Sequence, residues 1–108
     1  MRPSPKRRKI FQTPNDYDFF LIGNIEKCRP CLIAHQKLEE HIERGLGESF
    51  GEWLFDIDTK APSDPLAKMW LEEQREKDPV LAKHKTIPMI WKGGKFIGGK
   101  DELLKILS

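Results

Sequence analysis

Apolar and polar residues alternate along the chain in a way that assigns most elements directly. Asp18 to Ile22 (DFFLI) is a short apolar run closed by Gly23-Asn24, and its aromatics and length predict a buried strand. Cys31, Ala34, Leu38, Ile42 and Leu46 then recur every three or four residues, with Glu39, Glu40, Glu43 and Arg44 between them. That spacing predicts one helix with an apolar face, stopped by Gly45 and Gly47. Trp53 to Ile57 (WLFDI) predicts a second strand, and Thr59 to Asp64 a turn-rich loop. A second helix is expected from the cap Asp64 to Lys77, with Leu66, Met69 and Trp70 facing inward and Asp78-Pro79 ending it. A linker or extra turn follows to Lys85.

Met89 to Lys92 and Lys95 to Ile97 read as two strands around Gly93-Gly94, a two-residue hairpin signal. Asp101 to Leu107 reads as a terminal helix with Leu103, Leu104 and Leu107 on its apolar side. The order β-α-β-α-β-β-α pairs the first two strands in parallel and the last two antiparallel. It predicts an α/β fold, a four-stranded mixed sheet flanked by about three helices. There are no internal repeats.

Composition narrows the class. A chain of 108 residues fits one domain that can bury a core without disulfide staples. No apolar run approaches the roughly 20 residues of a membrane span, and no apolar segment follows the basic N-terminus as a secretory signal requires. The net charge of +2 hides an asymmetry. Arg2, Lys6, Arg7, Arg8 and Lys9 lie in the first ten residues with no acid. That leaves 14 of the 19 basic residues against all 17 acidic ones, a formal −3. Residues 1–15 therefore read as a basic, disordered tail, and 16–108 as the domain. With Pro3 and Pro5 in it, the tail reads as a solvated terminus rather than a nucleic-acid or membrane contact.

Only two cysteines are present, both in Cys28-Arg29-Pro30-Cys31. Two are too few for a secreted disulfide framework, whereas a C-x-x-C pair serves redox and metal sites. Cys28 falls just before the first helix and Cys31 in its first turn, where Pro30 is tolerated because its missing N–H would be unpaired there anyway. Free N–H groups and the helix dipole should favour a thiolate at Cys28, and Lys27 and Arg29 push the same way. Cys31, one turn on, is placed to resolve a mixed disulfide on Cys28 from a buried, less reactive position. The competing reading is zinc, with Cys28, Cys31 and His35 joined by His41 or His84, but the second paired half of a structural zinc site is missing. His35 and His41 otherwise read as surface histidines of the helix.

A second block lies far along the chain. Thr86-Ile87-Pro88 precedes a strand directly, and a cis bond there would leave the Ile87 backbone open to pair with an extended peptide. Gly98-Gly99-Lys100-Asp101 turns a strand into a helix, offering N–H groups to a carboxylate and Asp101 to an ammonium; the alternative is a packing turn.

Together these blocks resemble the glutaredoxin branch of the thioredoxin superfamily over residues 17–107. TIPMIWKGGKFIGGKDELLKIL (86–107) is similar to the glutaredoxin pattern T-V-P-x-(apolar)-(aromatic)-x-(Asn/Gly)-G-x-x-I-G-G-x-D-x-L. NIEKC is similar to the small T-even phage type that combines thioredoxin and glutaredoxin features. The resemblance implies a thioredoxin-like fold and a cytoplasmic thiol–disulfide oxidoreductase with no bound cofactor. Cys28 would be its nucleophile, Cys31 its resolving thiol and Pro88 a cis-proline facing them. Thr86 and Ile87, with Gly99, Lys100 and Asp101, would hold glutathione as reductant or substrate. Implied partners are glutathione, a flavoprotein disulfide reductase, and disulfide-containing clients such as ribonucleotide reductase. Pro30 before Cys31 follows thioredoxins, Arg29 replaces a small residue, and Ile25 stands where glutaredoxins carry a lysine. These departures leave the electron donor open between glutathione and the reductase.

Overall fold

The computed structural model describes residues 12–45 and 47–107. Most of the basic tail and Leu46, expected on the first helix face, lie outside them. Thr13 caps a single 3-10 turn, Pro14–Asp16, whose Pro14 is buried. From there the order is β1 (Phe19–Gly23), α1 (Arg29–Glu43), β2 (Phe50–Asp56), β3 (Ala61–Pro62), α2 (Pro65–Lys77), α3 (Pro79–Lys83), β4 (Met89–Lys92), β5 (Lys95–Gly98) and α4 (Lys100–Leu107).

The sheet is mixed and ordered β3-β2-β1-β4-β5. β1 runs parallel to β2 and antiparallel to β4, and β4 to β5 is a hairpin. Both turn glycines, Gly93 and Gly94, have positive φ (59° and 81°), which suits the right-handed twist of the flanking strands. β1 is central, so both its faces are covered and all five of its residues are buried. Phe20 and Ile22 join Phe55, Leu71, Leu81, Met89 and Trp91 on the face of α2 and α3. Phe19 and Leu21 join Ala34, Leu38, Ile90 and Leu103 on the face of α1 and α4. Edge-to-face contacts link Phe20, Trp53, Trp70, Trp91, Phe96 and His84 in series on the first face.

Among the described residues the sheet has five strands rather than four, and there are four α-helices rather than about three. β3 is only two residues pairing with Phe55 and Asp56, too short for any periodicity. Its Pro62 is tolerated at the sheet edge. Asp78 ends α2 and also starts α3: its carboxylate accepts from the N–H groups of Val80 and Leu81, with Pro79 at the first helical position. The inward side of α2 differs as well. Leu66 and Met69 are exposed, while Ala67 and Leu71 are buried and Trp70 half-buried. The face against the sheet is 67, 70, 71, 74, the set one helical neighbour away, and the small Ala67 allows close approach. β2 starts three residues early because its register follows β1, with Phe19 opposite Phe50. Ile57 falls beyond its end and is exposed.

Candidate active site

The loop that leaves β1 sets up the cysteine motif. Asn24 is the one buried polar residue among the described residues. Its side-chain amide donates to the carbonyl of Phe55 on the neighbouring strand (3.0 Å). Its Oδ1 accepts from the N–H groups of Glu26 (3.1 Å) and Lys27 (3.0 Å), and its carbonyl accepts from Cys28 N–H (2.9 Å). Four backbone groups are thus satisfied by one residue, which pins the chain just ahead of Cys28.

Cys28 is the N-cap of α1, and its sulfur accepts from Cys31 N–H (3.4 Å). It is half-buried, whereas Cys31 is completely buried; both are free thiols, with sulfurs 2.7 Å apart. Cys31 Sγ fits against β1 only because position 23 is glycine: a Cβ there would lie 2.8 Å from it. Burial pushes the Cys31 thiol up to about 12, the neighbouring Cys28 sulfur pushes the same way, and a backbone hydrogen bond from Asn24 opposes both. One sulfur is open to a substrate. The other is held as a thiol directly behind it.

Across from Cys28, the Ile87–Pro88 bond is cis and the Ile87 carbonyl lies 3.9 Å from Cys28 Sγ. Two grooves meet over Pro30, Thr86 and Ile87. The first, about 290 Å³, is bordered by Pro88, Gly99, Lys100, Asp101 and Glu102 as well. The second, about 730 Å³, runs along Lys27, Cys28 and Arg29. All ten residues singled out for the site are therefore placed on these two grooves or, for Cys31, immediately beneath them.

At the Gly99 turn the structure adds a partner that the sequence reading passed over. Gly99 N–H does meet a carboxylate, but that of Glu102 in the same turn (2.8 Å). The hydrogen bond from Gly99 holds the Glu102 carboxyl below the usual carboxylate range, and its own backbone N–H adds to this. Glu three residues beyond a helix start is a recognisable capping signal. Asn24 had no such signal, since an Asn after a strand reads first as a turn. Asp101 is exposed, with Lys100 Nζ 3.8 Å from it.

The zinc set does not assemble. His35 lies between Glu39 (3.1 Å) and Glu52 (2.9 Å), and His41 beside Glu48. His84 faces the Pro88 carbonyl (3.3 Å). Among the described residues no three His, Cys, Asp or Glu side chains converge as metal ligands. No described helix is long and apolar enough to cross a membrane.

No family sequence model matches the chain, and no curated protein matches it. Among solved structures it is similar to the crystal structure of glutaredoxin grx-1 from Archaeoglobus fulgidus, at 16% identity and a TM-score of 0.50, over 98% of this chain and 96% of that one. It is also similar to the solution structure of the dithiolic glutaredoxin 2-C-Grx1 from Trypanosoma brucei brucei, at 17% identity and a TM-score of 0.44, over 92% and 99%. The archaeal likeness is one of fold, and it bears out the mixed, thioredoxin-like α/β architecture expected from the strand order.

Proposed function

We propose that the protein is a dithiol–disulfide oxidoreductase of the glutaredoxin type. The observation that carries this reading is the sulfur pair: an accessible Cys28 capping α1, backed at 2.7 Å by a buried Cys31 and faced by cis-Pro88. Cys28 thiolate attacks one sulfur of the substrate disulfide, and the other sulfur leaves as a thiolate that takes a proton from solvent. Cys31 then gives up its proton and attacks Cys28 Sγ. The mixed disulfide breaks, the second substrate thiol departs with that proton, and a Cys28–Cys31 disulfide remains. The substrate gains two electrons and two protons in total. Two glutathione thiols, or the dithiol of a flavoprotein reductase, return them, and no prosthetic group takes part.

The environment of Cys31 suits the second step. Two of the influences that hold it protonated, the hydrogen bond and the charge of Cys28, vanish once Cys28 is in a mixed disulfide. The Asn24 hydrogen bond to it stays. Cys31 is therefore inert until its partner has reacted.

In this reading Thr86, Ile87 and Pro88, with Gly99, Lys100 and Asp101, hold a glutathione moiety in the smaller groove. Lys27 and Arg29 flank Cys28 along the larger groove and place positive charge beside the attacking sulfur. Pro30 before Cys31 and the NIEKC approach support the T-even phage type of hybrid, in which a thioredoxin-like cycle feeds a client such as ribonucleotide reductase. A reducing cytoplasm is the compartment in which such a pair works as a reductant. Reduction of insulin, measured beside reduction of a glutathione mixed disulfide, tests the reading. Activity in both that disappears with Cys28→Ser is expected. Full activity in Cys28→Ser would end it.

A further inference from the structure

The larger groove differs from the smaller one in the charge of its lining. Its basic lining residues are Lys27, Arg29, Lys60, Arg75 and Lys85, and among the described residues no Asp or Glu lines it. This is segregation against the average, because the chain beyond its tail carries more acids than bases. None of the five makes an ion pair among the described residues.

Two of them are held in place at a cost. Arg75 is half-buried; its Nε is enclosed without a hydrogen-bond partner, and its Nη2 makes only long contacts, 3.5 Å to the His84 carbonyl and 3.9 Å to Met89 Sδ. A guanidinium partly withdrawn from water and lacking a carboxylate favours an incoming anion. Lys60 has φ 58°, a conformation usually left to Gly, Asn or Asp. The turn that imposes it is tied by Asp56, whose carboxylate accepts from the N–H groups of Asp58 and Thr59 and whose carbonyl accepts from Lys60 N–H. Between the cations the floor is apolar, with Pro30, Phe55, Ile57 and Ile87. The smaller groove is different: it mixes Lys100 and His84 with Asp101 and Glu102.

We propose that the larger groove docks an acidic polypeptide segment of the client protein, next to the disulfide that Cys28 attacks. The proposal rests on the oxidoreductase reading and adds its substrate class. At about 730 Å³ the groove admits several residues of an extended segment. Its unpaired cations would steer and hold their carboxylates.

The test uses three peptides that share one disulfide and differ only in their flanks: Asp/Glu, Asn/Gln or Lys. At low salt, kcat/KM for the acidic peptide should exceed that for the neutral one by about tenfold, mostly through KM, and approach parity in 0.5 M salt. Lys60→Gln/Lys85→Gln should cut the acidic rate about fivefold while sparing the neutral peptide and a glutathione mixed disulfide of a small thiol. Equal rates for acidic and neutral peptides in the wild type would overturn the proposal. So would a parallel loss on the glutathione adduct in the double variant, which would give the groove to glutathione. Fluorescence anisotropy with a Ser-for-Cys acidic peptide separates the two readings. If the wild type reduces none of the peptides, the oxidoreductase reading fails; salt-sensitive binding of that analogue would still support the docking groove, and no binding would overturn it.

Discussion

The helices α1 and α4 both start at the rim of the cleft around Pro88, and each has its first turn closed by one of its own side chains. On α1 the closing atom is Cys28 Sγ, which accepts from Cys31 N–H. On α4 it is the Glu102 carboxylate, which accepts from Gly99 N–H. Both use the positive end of a helix to favour a negative group. Glu102 carries a full charge of its own, so the α4 turn is electrostatically complete before any ligand arrives. Cys28 is a weaker acceptor beside Lys27 and Arg29, so the α1 turn retains an excess of positive character and a reactive atom. One helix start is closed as structure, and the other is left open to chemistry.

The sharpest way to break this contrast is Cys28→Ser, expected to lower disulfide reduction by roughly 10³-fold or more while leaving the fold intact, because a hydroxyl can still cap the helix. Circular dichroism beside the insulin assay separates the two effects. Cys31→Ser should abolish turnover of intramolecular protein disulfides but preserve reduction of glutathione adducts, which need no second protein thiol. At pH 8, mass spectrometry should find one alkylated thiol, Cys28, with Cys31 reacting only as the pH nears its raised value of about 12. The same shift has a sign for stability. The folded Cys31 keeps its proton where an unfolded cysteine loses it, so stability falls as pH rises from about 9 toward about 12. Cys31→Ala should flatten that slope in denaturant titrations.

Asn24→Ala should cost about 1–3 kcal/mol, since it leaves the Phe55 carbonyl and two loop N–H groups without partners. It should also slow the Cys28 reaction, whereas a surface substitution on α4 would not. The smallest effect belongs to Glu102→Gln, about 0.3–1 kcal/mol from the loss of a charge at the α4 start. Its carboxyl is lowered in the fold, so this contribution is full at neutral pH and lost as pH falls below the ordinary carboxylate range. The same substitution removes a competitor for the turn, and a two- to threefold fall in KM for a glutathione adduct, roughly half a kcal/mol, would show it.

The sequence made the central strand and α1 legible because their burial is continuous and periodic: DFFLI, and Cys31, Ala34, Leu38. The dithiol motif and Pro88 were legible because few residue types can occupy such positions. Other features depend on partners distant in the chain. β3 exists only through its bond to β2. The α2 face is decided by what a small Ala67 allows against the sheet rather than by where Leu66 and Met69 stand. Arg75 and Lys85 reach one groove from separate elements, and no spacing along the chain announces them.

Gly23 gives the cysteine pair a mechanical side. The sulfur of Cys31 occupies the socket that a side chain on β1 would fill, with only 2.8 Å to a hypothetical Cβ. The Cys31 sulfur is thus also a tooth in the interlock between sheet and helix. Joining it to Cys28 changes how that tooth seats, so folding and oxidation form a closed thermodynamic cycle. Gly23→Ala should press unequally on the two oxidation states, and the difference will appear both as a gap between their melting curves and as a displaced reduction potential, about 30 mV for each 1.4 kcal/mol.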